Sequence, residues 1–163
     1  MAKRSEIPKT NAMRRLDSAK IPYEIMSYTV DENDLSGTHI ADQIGIPYEQ
    51  CFKTLVAVGD KTGPLVFCIP CDKEIDLKLA AIVTKNKRIE MIHVKDLLAL
   101  TGYIRGGVSP IGMKKKFPTY IDETCLLYDR ITVSSGMRGA QLLLSVEALL
   151  PFIEATAVSL TQA

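Results

Sequence analysis

The sequence carries no strong net charge, no leader-like segment and no long apolar run. Lysine and arginine total 20 against 19 acids in 163 residues, a formal charge of +1. That balance excludes the broadly positive surface of a non-specific nucleic-acid binder, so any RNA contact must be local, and no DNA partner is expected. Nowhere do about 18 apolar residues follow one another, and Met1–Pro8 is polar, without the apolar stretch of a secretion signal. A cytoplasmic chain with no membrane partner is expected.

Cysteine is also scarce. Cys51, Cys68, Cys71 and Cys125 are the full set, and three of them lie in apolar, strand-like runs where a reduced thiol packs as a small hydrophobe, so free thiols are expected. Cys68-Ile69-Pro70-Cys71 has the spacing of a redox or metal motif. There is no second pair to complete a zinc site, and Cys68 lies inside an apolar strand that Pro70 ends, whereas a redox cysteine would open a helix. His39 and His93 fall in no His-Glu-x-x-His pattern and read as surface or capping residues, and no glycine-flanked serine of a hydrolase elbow is present. No metal and no cofactor are expected.

What is present suits one mixed α and β domain: 47% of residues are apolar, ample for a single core. Apolar residues at three- and four-residue steps predict a helix over 10–20, stopped by Ile21-Pro22. A strand is expected at 23–28 and a short helix at 38–44, closed by Gly45, whose missing Cβ suits the left-handed position past a helix end. The runs 52–58 and 65–69 flank a turn-rich loop and read as a hairpin. Helices follow at 76–84 and 94–100 with a short strand at 89–92 between them. Beyond Gly102 the composition becomes that of a loop, and then strands at 119–122, 130–134 and 141–144, a helix at 146–153 and a strand at 156–160 complete the chain. No repeat, linker or low-complexity segment interrupts it.

Three features could carry chemistry. Lys53 sits among apolar strand neighbours, where a lysine either snorkels its ammonium to an edge or is kept for its charge beside a ligand. Gly106-Gly107-Val108-Ser109-Pro110 joins two residues without side chains to a hydroxyl and a rigid proline, so that either a plain turn forms or backbone N–H groups come within reach of a ligand oxygen. It lacks the Gly-Lys-Ser/Thr ending of a phosphate loop and the third glycine of a dinucleotide fingerprint. Lys114-Lys115-Lys116, with Arg105 nearby, is either a solvated face or a track for an RNA backbone.

Phe52-Lys53-Thr54-Leu55, then Thr101-Gly102-Tyr103 running into Gly106-Gly107-Val108-Ser109-Pro110-Ile111-Gly112, then Ser134-Ser135-Gly136-Met137-Arg138-Gly139 resemble the successive signature segments of the YbaK/EbsC family. The likeness covers nearly the whole chain, from Lys20-Ile21-Pro22-Tyr23 and Tyr28 to the C-terminal helix. The resemblance implies one editing domain of the type associated with prolyl-tRNA synthetase, over residues 9–163 behind a flexible 1–8. Its α+β fold would be a mixed, strongly curved, barrel-like sheet surrounded by helices.

The implied activity is trans-editing: hydrolysis of the ester of mischarged Cys-tRNA(Pro), with Cys-tRNA(Cys) as a further substrate. It implies Lys53, Gly106 and Gly107 as the catalytic set, Tyr28, Thr54, Ser109, Pro110, Gly136, Arg138 and Gly139 as substrate-binding groups, and Arg105 and Lys114–Lys116 as RNA contacts. An activated ester has no evident need of a nucleophilic serine or a metal. In cysteine-specific relatives the substrate's own thiol attacks its carbonyl while the enzyme orients the ester, and the protein's cysteines need not take part. The implied partners are the acceptor end of aminoacylated tRNA and prolyl-tRNA synthetase. Two departures from the family pattern bear on specificity: Ser36 stands where a pocket aromatic is expected, and Gln141 near a position where some members carry an acid. An Ala-tRNA(Pro) deacylase and a non-catalytic tRNA- or synthetase-binding module are the alternatives.

Overall fold

The structure, a computed structural model, describes residues 7–162. Most of the expected flexible segment, residues 1–6, lies outside the described residues, and Ile7 already packs against the main core. Five helices and eight strands follow the expected order. α1 (Asn11–Ser18) starts at Thr10, whose hydroxyl accepts from Met13 N–H, a cap worth about 1 kcal/mol. β1 (Tyr23–Ser27) precedes α2 (Gly37–Ile44), which ends on Gly45 at φ +73° as its sequence position requires.

β2 (Phe52–Gly59) and β3 (Gly63–Pro70) form the expected hairpin, with Phe52 opposite Pro70 and Gly59 opposite Gly63. α3 (Leu77–Thr84), β4 (Ile89–Met91) and α4 (Val94–Thr101) come next. After a long loop, β5 (Thr119–Asp122), β6 (Arg130–Ser134), β7 (Ala140–Ser145), α5 (Val146–Phe152) and β8 (Ala155–Val158) complete the domain. Among the described residues, two short 3-10 turns, Tyr48–Gln50 and Glu123–Leu127, have no counterpart among the expected elements.

The strands fall into two sheets. β1-β7-β6 is antiparallel, whereas β4-β2-β3-β5-β8 mixes the antiparallel hairpin with parallel pairing of β3 to β5 and of β5 to β8. A parallel bridge between Cys51 and Thr132 links the two. The main core fills the space between them with Met13 and Leu16 of α1, Leu149 of α5, Phe52, Ile121, Ile131, Val133, Leu142 and Leu144. A second core packs Leu65, Phe67 and Ile69 against Ala80 and Ala81 of α3. β3 is therefore covered on both faces, which explains why its sequence is an unbroken apolar run with no alternation.

The pairing of β2 positions the site. β4 pairs only with Ala57, Val58 and Gly59. Beyond Val56, whose carbonyl accepts from Ile92 N–H, the stretch Phe52–Leu55 has no β4 partner, and a cavity opens along it.

Candidate functional site

This cavity, of about 390 Å³, is walled by Cys51 and β2 as far as Val56, by Cys71, by Leu35–Gly37 and Ile40 at the start of α2, by Met91, Ile92, Val94 and Leu97, by Arg105, Gly106 and Val108, and by Ser134 and Gln141. Its size and mostly apolar wall with a few polar groups are those of a small-ligand site. Lys53 and Thr54, adjacent in β2 and both half-buried, both border it. Lys53 makes no ion pair with any carboxylate among the described residues, so its charge is available to a ligand. Thr54 Oγ1 lies 3.8 Å from Cys68 Sγ at the base of the wall.

The 102–118 loop is no solvent flap. Val108, Ser109, Pro110 and Ile111 are buried, and Ser109 is 0% exposed. Hydrogen bonds hold it in place: Tyr103 hydroxyl donates to Ile111 carbonyl at 2.5 Å, Ile111 N–H to Ser109 Oγ at 3.2 Å, and Asn11 Nδ2 of α1 to Gly112 carbonyl at 2.7 Å. Gly106 adopts φ +86°, a conformation that side-chain-bearing residues rarely take. Gly107 N–H donates to Ile104 carbonyl at 2.9 Å, whereas among the described residues the N–H groups of Gly106 and Val108 have no backbone partner. Gly107 serves close approach instead, because a Cβ there would stand 3.2 Å from the backbone of Met137.

The β6–β7 turn closes the other side. Arg138 Nε donates to Arg105 carbonyl at 2.8 Å, and Gly139 carbonyl accepts from Tyr28 N–H at 2.9 Å. Gly136 has φ +97° and leaves no room for a side chain, since a Cβ would meet the Tyr103 ring at 2.8 Å. Burial holds the Tyr28 phenol above its ordinary value, with the Gly139 backbone and the Gln141 side chain drawing it partly back. Gln141, 5% exposed, lines the cavity with an Oε1 that finds no hydrogen-bond partner among the described residues. An orphan buried acceptor costs about 1–3 kcal/mol, so its presence in a cavity wall needs a reason.

The anticipated residues divide between two hollows. Lys53, Thr54, Gly106 and Arg105 line the cavity, while Gly107, Tyr28, Gly136, Arg138 and Gly139 build the walls behind it. Pro110, Lys114, Lys115 and Lys116 line a separate cleft of about 280 Å³, joined there by Arg15 of α1. Lys116 is paired with Glu154, whereas Arg15, Lys114 and Lys115 are exposed and unpaired among the described residues. Ser36 caps α2: its Oγ donates to Asp34 Oδ1 at 2.6 Å and accepts from His39 N–H at 3.4 Å. His39 stands 3.8 Å from the Asp34 carboxylate, and His93 occupies the N-cap of α4 without a side-chain bond. Sequence reasoning missed Arg15 and the apolar wall of Leu35, Ile40, Met91 and Leu97; periodicity marks such residues as core and cannot separate core from cavity lining.

Residues 36–152 match the family model of the aminoacyl-tRNA editing domain. The chain is 51% identical over 150 residues to EbsC of Enterococcus faecalis, a protein provisionally assigned as a Cys-tRNA(Pro)/Cys-tRNA(Cys) deacylase, with 92% of each chain covered. Among solved structures, one provisionally described as a trans-editing enzyme for prolyl-tRNA synthetase superposes with a TM-score of 0.81 at 22% identity, covering 94% of this chain and 96% of that one. A hypothetical protein superposes with a TM-score of 0.84 at 17% identity, covering 94% and 100%. At those identities the two structures speak for the fold.

Proposed function

The chain belongs to the aminoacyl-tRNA editing domain family, and on that premise we propose that it hydrolyses the ester of mischarged tRNA, with Cys-tRNA(Pro) as the main substrate and Cys-tRNA(Cys) as a second. The observation that supports this reading is that one small cavity is lined both by Lys53, which has no ion-pair partner among the described residues, and by the loop that carries the Gly106 N–H. The terminal ribose and its aminoacyl group enter the cavity. Lys53 holds the anionic or carbonyl oxygens of the acceptor end, and Gly106 N–H, with Val108 N–H behind it, faces the ester carbonyl where negative charge develops.

Gly107, Arg138 and Gly139 act as walls that fix the loop. Tyr28 and Thr54 border the aminoacyl group, and the Gln141 carbonyl oxygen accepts from its ammonium, which gives that orphan acceptor a partner only when substrate is present. With a cysteinyl ester, the substrate thiol attacks the carbonyl carbon, the ribose 3′ oxygen leaves with the proton, and water then opens the resulting cyclic thioester to free cysteine. Positioning is then the enzyme's main contribution.

Arg15, Lys114 and Lys115 lie along a cleft bordered by the same loop, and we assign them to the phosphates of the acceptor arm, with Arg105 at the cavity mouth. The protein acts in the cytoplasm beside prolyl-tRNA synthetase in this reading. The two sheets are read as one strongly curved, barrel-like sheet continued through the Cys51–Thr132 bridge. The test compares hydrolysis of Cys-tRNA(Pro), Cys-tRNA(Cys) and Ala-tRNA(Pro). Preferential loss of the cysteinyl esters is expected; faster loss of the alanyl ester would move the specificity, and three stable esters with measurable RNA binding would make the protein a binding module.

A further inference from the structure

We propose that Cys51 and Cys71 form a modification site in the cavity wall, a thiol pair that peroxide closes to a disulfide and that thereby shuts the cavity to the ester. The sequence draws attention to Cys68 and Cys71, but the fold separates them. Cys68 is 0% exposed and turns to the main core beside Thr54. The true neighbour of Cys71 lies across the hairpin. Cys51 directly precedes β2 and Cys71 directly follows β3, continuing the register by one position beyond Phe52 and Pro70.

Cys71 N–H donates to Cys51 carbonyl at 2.8 Å, so the two stand opposite each other. Hydrogen-bonded opposed positions of an antiparallel pair have Cα atoms about 5.5 Å apart, inside the Cα span of a disulfide, while their Cβ atoms stand wider than a disulfide holds them, so closing the bond draws the two strand ends together. They share a small cluster with Ala41, and both border the cavity, which gives a small oxidant its route although each is at most 5% exposed.

The thiols are unequal. Contact with the Cys71 thiol holds Cys51 below the ordinary thiol value against its own burial, while that same contact and burial push Cys71 up. Burial pushes Cys68 up to about 12 and Cys125 up to about 11, leaving both as unreactive thiols. Cys71 Sγ also donates to the Tyr48 carbonyl at 3.6 Å, which keeps that thiol protonated, so Cys51 reacts first. Its thiolate takes one oxygen from hydrogen peroxide to give the sulfenic acid, releasing one water once a proton is counted. The Cys71 sulfur then attacks the Cys51 sulfur and expels a second water. Two thiols lose two electrons, and peroxide is reduced to two waters.

Lys53 is two residues from Cys51, and its charge is felt at Cys71. A covalent tie here displaces the start of β2, and displacement of a positioning group by about 1 Å costs up to about a hundredfold in rate. The loss of hydrolysis rests on the editing reading; the thiol chemistry does not. In the test, reduced full-length protein is treated with hydrogen peroxide, thiols are counted after unfolding, the linked peptides are mapped, and Cys-tRNA(Pro) hydrolysis is followed before and after dithiothreitol.

The expected result is a fall from four free thiols to two, a Cys51–Cys71 linked peptide, and loss of hydrolysis that dithiothreitol restores. Cys71→Ser should form no intramolecular disulfide and trap a Cys51 sulfenic acid with dimedone, while Cys68→Ser still forms the link. Four surviving thiols, a link between any other pair, or a Cys51–Cys71 link that leaves hydrolysis unchanged overturns the proposal. If the reduced protein cleaves no ester at all, the editing reading fails, whereas the thiol count still decides whether the pair exists.

Discussion

Arg138 donates from Nε to the backbone carbonyl of Arg105 at 2.8 Å, across 33 residues of sequence. This bond fastens the β6–β7 turn to the loop bearing Gly106 and Gly107, joining two segments that the sequence presents as separate motifs. Arg138→Ala should lower turnover of the cysteinyl ester by about tenfold, in line with a positioning contact, and speed amide hydrogen exchange at residues 105–108. Unchanged exchange in that loop would remove Arg138 from its positioning role.

Gly107→Ala places a methyl 3.2 Å from the Met137 backbone, where neither partner has a flexible end to move. The expected cost is about 1–3 kcal/mol of stability, with a loss of hydrolysis as the turn is pushed away. Denaturant unfolding of this variant beside Gly63→Ala tests the claim. Gly63 has open space around it but φ +76°, so its alanine variant should lose about 1–2 kcal/mol through backbone strain alone and keep its activity.

Gln141→Leu removes an acceptor that has no partner among the described residues. Stability should therefore rise, by up to about 1–3 kcal/mol, while kcat/KM for the cysteinyl ester falls because the substrate ammonium loses its partner. Thermal unfolding and steady-state kinetics on the same sample test both halves. A variant that is less stable and fully active contradicts the assigned role.

Alkaline stability follows from burial. Tyr103 is held up to about 12 by burial, above its ordinary value of 10.0, with its hydroxyl bonded to Ile111 carbonyl. Above pH 10 the unfolded chain gives up this proton while the folded chain retains it, so stability is fully present below pH 10 and is lost as pH rises toward about 12. Unfolding free energy measured from pH 9 to 11.5 should fall, and Tyr103→Phe should flatten that fall. Tyr28, Cys68, Cys71 and Cys125 are also held above their ordinary values and add to the slope.

Arg15→Glu combined with Lys115→Glu should weaken binding of aminoacyl-tRNA and reduce the slope of log affinity against log salt by about 1.5, the share of two phosphate contacts. Hydrolysis of an ester carried on a short CCA end should change little, because those residues lie in the second cleft. Binding and salt slope that match the unaltered protein would make this surface a solvated face.

Much of this was legible in the sequence, for a physical reason in each case. Turn chemistry around Lys61 and β-branched neighbours defined the hairpin, and the glycines after Thr101 marked a segment with neither helix nor strand. The 3-10 turns at Tyr48 and Glu123 are too short to show a period. The parallel pairing of β3 with β5 and β5 with β8 depends on contacts between distant segments that no local pattern encodes. Lys53 stood out because charge is costly in an apolar strand, and Gln141 because it departs from a family pattern. Arg15 did not, since an exposed arginine on a helix is ordinary until the fold sets it beside Lys114 and Lys115. The Cys51–Cys71 pairing was concealed by the nearer Cys68, although the two positions are symmetric about Lys61 in the hairpin.

In the editing reading, the Lys53 charge, in the cavity that Lys53 lines with Gly106, positions the ester for cleavage. Single-turnover hydrolysis of Cys-tRNA(Pro) by the intact protein and by Lys53→Ala tests it most directly, with unfolding curves showing that both are folded. A loss of about a hundredfold or more in rate with stability retained is the predicted result. Equal rates for the two proteins would contradict the account.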